Sequence, residues 1–126
     1  MTPRLSVVVP IYNVELYLEE CLASLAAQTF DDFEVVMVDD GSTDSSAEIA
    51  EAFARRDPRF RLVRQENKGL GPARNTGTAQ IHPDGEFLAF VDSDDIVPPS
   101  SYQLMIDTLE QSAPADIADR CVALHQ

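Results

Sequence analysis

At 126 residues, with 44% apolar and 25% charged side chains, the chain is long enough for one domain with a hydrophobic core. Its formal net charge of −13, from 22 acidic and 9 basic residues, argues against binding DNA or RNA, whose affinity rests on Lys and Arg against phosphates. A small phosphorylated ligand is still allowed if a metal ion or a few local cations neutralise it. No apolar run approaches the roughly 20 residues that cross a bilayer. Met1-Thr2-Pro3-Arg4 enters a strand-like run without a signal-peptide layout. The expected location is therefore cytoplasmic, or the inner face of the membrane through parts of a longer protein.

The elements alternate along the chain. Leu5-Ser6-Val7-Val8-Val9 is a β-branched run closed by Pro10 and reads as a buried strand. Val14, Tyr17, Leu18, Cys21, Leu22 and Leu25 then recur at helical spacing, with Asn13 expected as the N-cap. Phe33 to Val38 is a second buried strand, ending at Asp39-Asp40-Gly41. Ser45-Ser46-Ala47-Glu48 fits a capping box for a helix that buries Ile49, Ala50 and Phe53. After the Asp57-Pro58 turn, Phe60 to Val63 is a third strand. The loop Gln65 to Gly71 feeds a helix expected to start near Pro72. Asp84-Gly85 turns the chain into a strand from Glu86 to Val91. Pro98 or Pro99 opens a helix carrying Tyr102, Met105, Ile106 and Leu109 inward, and Pro114 ends it. The tail from Ala115 to Gln126 fits the start of another strand.

This order predicts one α/β domain, a mostly parallel, doubly wound, Rossmann-like sheet with helices on both faces. There are no internal repeats or linkers. Cys21 and Cys121 have neither metal nor redox spacing, and Cys21 reads as a small core residue. His82 and His125 have no partner pattern and read as surface residues.

The strand ending at Val91 stops on Asp92-Ser93-Asp94-Asp95. In an extended segment Asp92 and Asp94 point the same way. Two carboxylates facing one spot repel unless a cation sits between them, and Mg²⁺ or Mn²⁺ suits oxygen ligands. An acidic turn capping the next helix explains the same residues. Both readings stand on this segment alone. In a parallel sheet the strand C-termini share one edge, which would collect Pro10-Ile11-Tyr12-Asn13, Asp39-Asp40-Gly41-Ser42 and Asp92-Ser93-Asp94-Asp95 into one cleft. Gly69-Leu70-Gly71 follows the third strand and lacks both the Rossmann and the Walker spacing.

Four segments in this order resemble the family-2 glycosyltransferases of GT-A fold. They are Ser6-Val7-Val8-Val9-Pro10-Ile11-Tyr12-Asn13, Val38-Asp39-Asp40-Gly41-Ser42-Thr43-Asp44, Glu66-Asn67-Lys68-Gly69-Leu70-Gly71-Pro72-Ala73-Arg74-Asn75-Thr76-Gly77 and Phe90-Val91-Asp92-Ser93-Asp94-Asp95. Together the likeness covers about residues 4 to 110. The resemblance implies transfer of a sugar from a nucleotide diphosphate, most often a UDP-sugar, to an acceptor hydroxyl with inversion and a divalent metal. It implies that Asp39 accepts a hydrogen bond from the nucleobase, against the plainer role of capping its loop through Ser42. Asp94 and Asp92 would hold Mn²⁺ or Mg²⁺, with Asp92 and Ser93 near the nucleotide and Asp95 supporting them or capping the next helix. Pro10 and Tyr12 would shape the base pocket, and Asn67 and Arg74 would contact the nucleotide. Lys68 is divided between phosphate contact and solvent, and Asp40 between holding the turn and capping the helix.

The resemblance also implies more than this chain carries. The family's general base is expected beyond Gln126, and Asp107, Asp116 and Asp119 do not match its motif. The expectation is a truncated, donor-binding half that binds nucleotide, transfers little alone and self-associates through surface left uncovered. The acceptor, a glycan, a lipid or a cell-wall polymer, would meet the remainder. Two other classes fit less of the sequence. One is a non-catalytic nucleotide-binding module. The other is a Mg²⁺-dependent phospho-accepting domain, which needs a lysine at a late strand end where none follows Lys68.

Overall fold

The computed structural model describes residues 2–111 and the backbone of a strand at 121–124. The element order is β1 (Leu5–Ile11), α1 (Leu18–Ala26), β2 (Phe33–Asp40), α2 (Ser46–Arg56), β3 (Phe60–Gln65), α3 (Leu70–Gln80), β4 (Phe87–Val91), α4 (Ser101–Gln111) and β5 (Cys121–Leu124). The sheet runs β3-β2-β1-β4-β5, and every pairing is parallel. β5 realises the strand expected in the tail. The end expected for α4 at Pro114 lies outside the described residues.

β1 is the central strand, buried along its whole length, as a β-branched run covered on both sides should be. Its alternating side chains divide the interior. Val7, Val9 and Ile11 join Val35 and Met37 of β2 in the larger core, with Leu18, Leu22 and Leu25 of α1, Phe53 of α2, and Tyr102 and Ile106 of α4. On the other face Val36 and Val38 meet Ala73 of α3 in a much smaller cluster. Helices thus cover both faces, as the alternation predicted. α3 lies close against the sheet because Gly77 sits over Val8 and Val38. A Cβ there would stand 3.2 Å from Val38 Cγ2 and would collide with Val8 Cγ1.

Two expected helix starts shift and one expected cap is replaced, each for a local reason. α1 begins at Leu18, because Asn13 takes φ 50° and spends its side-chain carbonyl on the Thr43 N–H at 2.8 Å. The residues between form a turn in which the Tyr17 and Leu18 N–H groups both donate to the Val14 carbonyl. Ser45 precedes α2 without capping it through its side chain. Asp44 Oδ1 instead accepts the Ser46 N–H at 2.9 Å, and the Ser45 N–H donates to Glu15 Oε1. α4 starts at Ser101, after a turn closed from the Ser101 N–H to the Pro98 carbonyl. α3 starts at Leu70, with Pro72 in its first turn as expected.

Candidate functional site

The order in which strands are added reverses at β1. β2 and β3 extend the sheet on one side, and β4 and β5 on the other. Ligands of open α/β sheets bind outside the strand C-termini at such a switch point. Here a cavity of about 370 Å³ opens there, lined by Pro10, Ile11, Tyr12, Asp40, Asn67, Gly69, Leu70, Ala73 and Ser93. Of the residues expected to bind nucleotide, Pro10, Tyr12, Asn67 and Ser93 line it. Tyr12 is 48% exposed, so its ring is free to lie against a ligand.

The loops around the cavity are cross-linked. The loop after β1 is tied to the loop after β2 by the Asn13 N–H to Ser42 Oγ, the Val14 N–H to Ser46 Oγ and the Glu15 N–H to Asp44 Oδ2. Asp40 anchors the loop after β3. Its Oδ1 accepts from Gln65 Nε2 at 2.8 Å and the Lys68 N–H at 2.9 Å, and its Oδ2 accepts from the Gly69 N–H at 2.9 Å. The Asp40 carbonyl takes Asn67 Nδ2, and Thr76 Oγ1 of α3 donates to Gln65 Oε1. Burial pushes the Asp40 carboxyl upward, but the hydrogen bonds from Gln65, Lys68 and Gly69 outweigh it and hold the group below its usual range. Lys68 thus serves the loop through its backbone N–H.

Strand parity separates the two aspartates at the end of β2. Asp40 shares the α3 face with Val36 and Val38, where the cavity lies. Asp39 belongs to the opposite parity and is not among the cavity residues. It is buried, accepts the Ser42 N–H at 3.3 Å and lies 3.8 Å from Arg64 Nε. Its described contacts are those of the plainer reading, capping its own loop. Asp40, which the sequence left between holding the turn and capping the helix, is the carboxylate of the pair that lines the cavity. Counting alternate positions from the buried Val36 would have found it.

After β4 the chain does not stay extended. The Asp95 N–H returns to the Asp92 carbonyl at 3.0 Å, making a turn of Asp92 to Asp95, so the premise that Asp92 and Asp94 project from one extended strand does not hold. Burial first, and then the negative charges of Asp95, Asp94 and Asp92, push the Cys21 thiol beneath the turn up to about 12. Arg74 Nη2 lies 3.5 Å from Asp92 Oδ1, and its guanidinium stands 5.7 Å from the Phe90 ring centre. Arg74 Nε is buried without a hydrogen-bond partner among the described residues.

Among the described residues no group of three or more His, Cys, Asp or Glu side chains could hold a metal ion. The turn offers one or two carboxylates beside a cavity. That donor set fits a cation whose remaining ligands are water and phosphate oxygens, and does not fit a closed protein cage.

The sequence profile of Glycosyl transferase family 2 matches residues 6–123. The chain is 46% identical over 112 residues to the uncharacterized glycosyltransferase EpsJ of Bacillus subtilis, covering 89% of this chain and 32% of that protein. It is 46% identical over 120 residues to the glycosyltransferase GlyG of Streptococcus pneumoniae, covering 94% and 38%. Among solved structures, S. aureus TarS 1-349 in complex with UDP-GlcNAc superposes with a TM-score of 0.78 at 38% identity, covering 88% of this chain and 32% of that one. The mannosyltransferase PcManGT of Pyrobaculum calidifontis, in complex with GDP-Man and Mn²⁺, does so with a TM-score of 0.68 at 33% identity, covering 78% and 29%. The parallel sheet with alternating helices is thus shared with glycosyltransferases of GT-A fold. The chain belongs to glycosyl transferase family 2 and spans about a third of the length of the relatives it matches. No helix among the described residues is long and apolar enough to cross a membrane.

Proposed function

We propose that the chain is the donor-binding part of an inverting, metal-dependent glycosyltransferase that uses a UDP-sugar. The observation that carries this reading is the cavity at the switch point, with Asp40 in its wall and the Asp92–Asp95 turn beside it. The complexes of TarS with UDP and with UDP-GlcNAc support the choice of donor.

Each residue has a task that its surroundings suit. A carboxylate has about four acceptor sites, and three hydrogen bonds to Asp40 leave roughly one for a nucleobase N–H. The role expected of Asp39 passes to Asp40 for this reason. Tyr12 covers the base and Pro10 bounds it, while Asn67 reaches from the loop that Asp40 holds. Arg74, with an unused Nε and a weak hold on Asp92, turns its guanidinium to the phosphates. Ser93 lines the cavity between Asp92 and Asp94, which would hold Mn²⁺ or Mg²⁺. When bound, that cation neutralises charge on the departing nucleoside diphosphate.

The general base and the acceptor wall lie beyond Gln126 in this reading, so the chain alone binds donor and transfers little. A glycan, lipid or cell-wall acceptor, a cytoplasmic location and self-association through exposed Leu16 and Ile96 belong to the same proposal.

Calorimetric titration of UDP with Mn²⁺, and again with EDTA, tests it. Metal-dependent binding that disappears in Asp94→Ala is the expected result. A folded chain that binds UDP equally in EDTA would sink the metal role.

A further inference from the structure

The segment that carries the acidic turn has almost no regular backbone pairing, yet it is fastened along one side of α1. Cys21 Sγ donates to the Asp92 carbonyl at 3.7 Å, and Ser24 Oγ accepts the Val97 N–H at 3.0 Å. Gln28 Nε2 donates to the carbonyls of Val97 at 3.2 Å and Pro98 at 2.7 Å, while its Oε1 accepts the Tyr102 N–H at 3.2 Å. The Thr29 N–H donates to the Pro99 carbonyl at 2.9 Å. These contacts fix the chain immediately before and after Ser93 to Ile96. Gln28 is 6% exposed, so its amide replaces backbone partners that no strand or helix supplies at this point. Pro98 and Pro99 have no N–H to donate, so this stretch cannot pair as a strand and is held through its carbonyls.

We propose that Gln28, with Ser24, is a positioning residue for metal-dependent donor binding: it sets the exit of the acidic turn and thereby where Asp94 stands. The proposal rests on the reading of Asp92 and Asp94 as the residues that hold the cation. Neither Gln28 nor Ser24 is among the cavity residues, so each acts through the turn. A buried amide that holds four backbone groups, the Ser24 carbonyl among them, has one arrangement that satisfies all of them. Replacing it with an apolar side chain of similar length releases the turn while keeping much of the packing. Supporting groups of this kind set metal affinity by about 10–100-fold in other proteins.

The test uses Gln28→Met, Ser24→Ala and, as a control for general loosening, Phe53→Leu in α2. UDP affinity is measured by calorimetry with Mn²⁺ and with EDTA, and the exchange rate of the Asp95 amide is followed by NMR. Gln28→Met is expected to weaken Mn²⁺-dependent UDP binding by about tenfold or more, to change binding in EDTA by less than about twofold, and to speed Asp95 exchange. Ser24→Ala should do the same to a smaller extent, and Phe53→Leu should do neither. Wild-type metal dependence retained in Gln28→Met overturns the positioning role alone. An equal loss in Phe53→Leu overturns it as well, by showing that any loosening has this effect. A wild-type chain with no Mn²⁺-dependent binding overturns the donor reading, and the positioning role with it.

Discussion

Asp39 and Asp40 are neighbours in the chain whose carboxylates serve opposite faces of the sheet. Asp39 accepts the Ser42 N–H within its own loop, while Asp40 gathers Gln65, Lys68 and Gly69 and so holds the wall of the cavity. The division follows from the two-residue period of β2. It assigns loop closure to one acid and site assembly to the other.

Asp40→Asn should cost about 1–3 kcal/mol at neutral pH, because a charged acceptor of three donors becomes a neutral one. The pH dependence has a definite sign. Hydrogen bonding overcomes burial and depresses the folded carboxyl, so its contribution is present above the unfolded value near 4 and is lost as pH falls through the lower folded value. Urea unfolding at neutral pH and at about pH 3 should show a smaller acid loss in Asp40→Asn than in wild type. Equal losses would remove Asp40 from the acid response.

Gly41→Ala should destabilise the chain by at least about 1–2 kcal/mol. Gly41 has φ 79°, and a Cβ there would stand 2.7 Å from the Asn67 backbone nitrogen. Backbone cannot yield as a side-chain tip can, so the loop carrying Asn67 must move. Thermal unfolding should show a lower midpoint, and UDP titration a weaker affinity. An unchanged midpoint would mean that the loop shifts freely.

Arg74→Lys keeps the charge and removes the planar fork. If Arg74 meets the phosphates, UDP affinity should fall about tenfold, roughly the worth of one charge-assisted hydrogen bond. Uridine, which lacks phosphate, should bind the two chains alike. Loss of uridine and UDP binding in equal measure would place Arg74 against the base.

The strands and their order were legible because β-branched runs ended by Pro, Gly and Asp leave little choice of element. Registers of burial were legible too, since Val35 to Val38 is apolar on both faces. Caps were not. Near α2, Asp44, Ser45 and Ser46 are all competent, and the choice of Asp44 depends on Glu15 and Val14 arriving from another loop. Asn13 was likewise taken by Thr43, a partner distant in sequence. At the site, Pro10, Tyr12, Asn67 and Ser93, which the family resemblance singled out, line the cavity. That Asp40 and not Asp39 lines the cavity follows from strand parity, which the motif by itself does not express. For Asp92 to Asp95 the sequence left an extended pair and an acidic turn both open, and the backbone takes the turn, closed by the Asp95 N–H on the Asp92 carbonyl.

The two faces of the sheet differ in how much apolar material they carry. The face toward α1, α2 and α4 holds nearly all of the interior, and the face toward α3 holds little beyond Val36, Val38 and Ala73. Sequence change on the thin side therefore touches ligand more than architecture. In the proposed donor site, a lineage could retune the fit of ligand at the exposed Leu70 while the thick side kept the chain folded. The same imbalance means that a bound nucleotide would add a disproportionate share of order to the α3 side, so ligand and helix would tighten together.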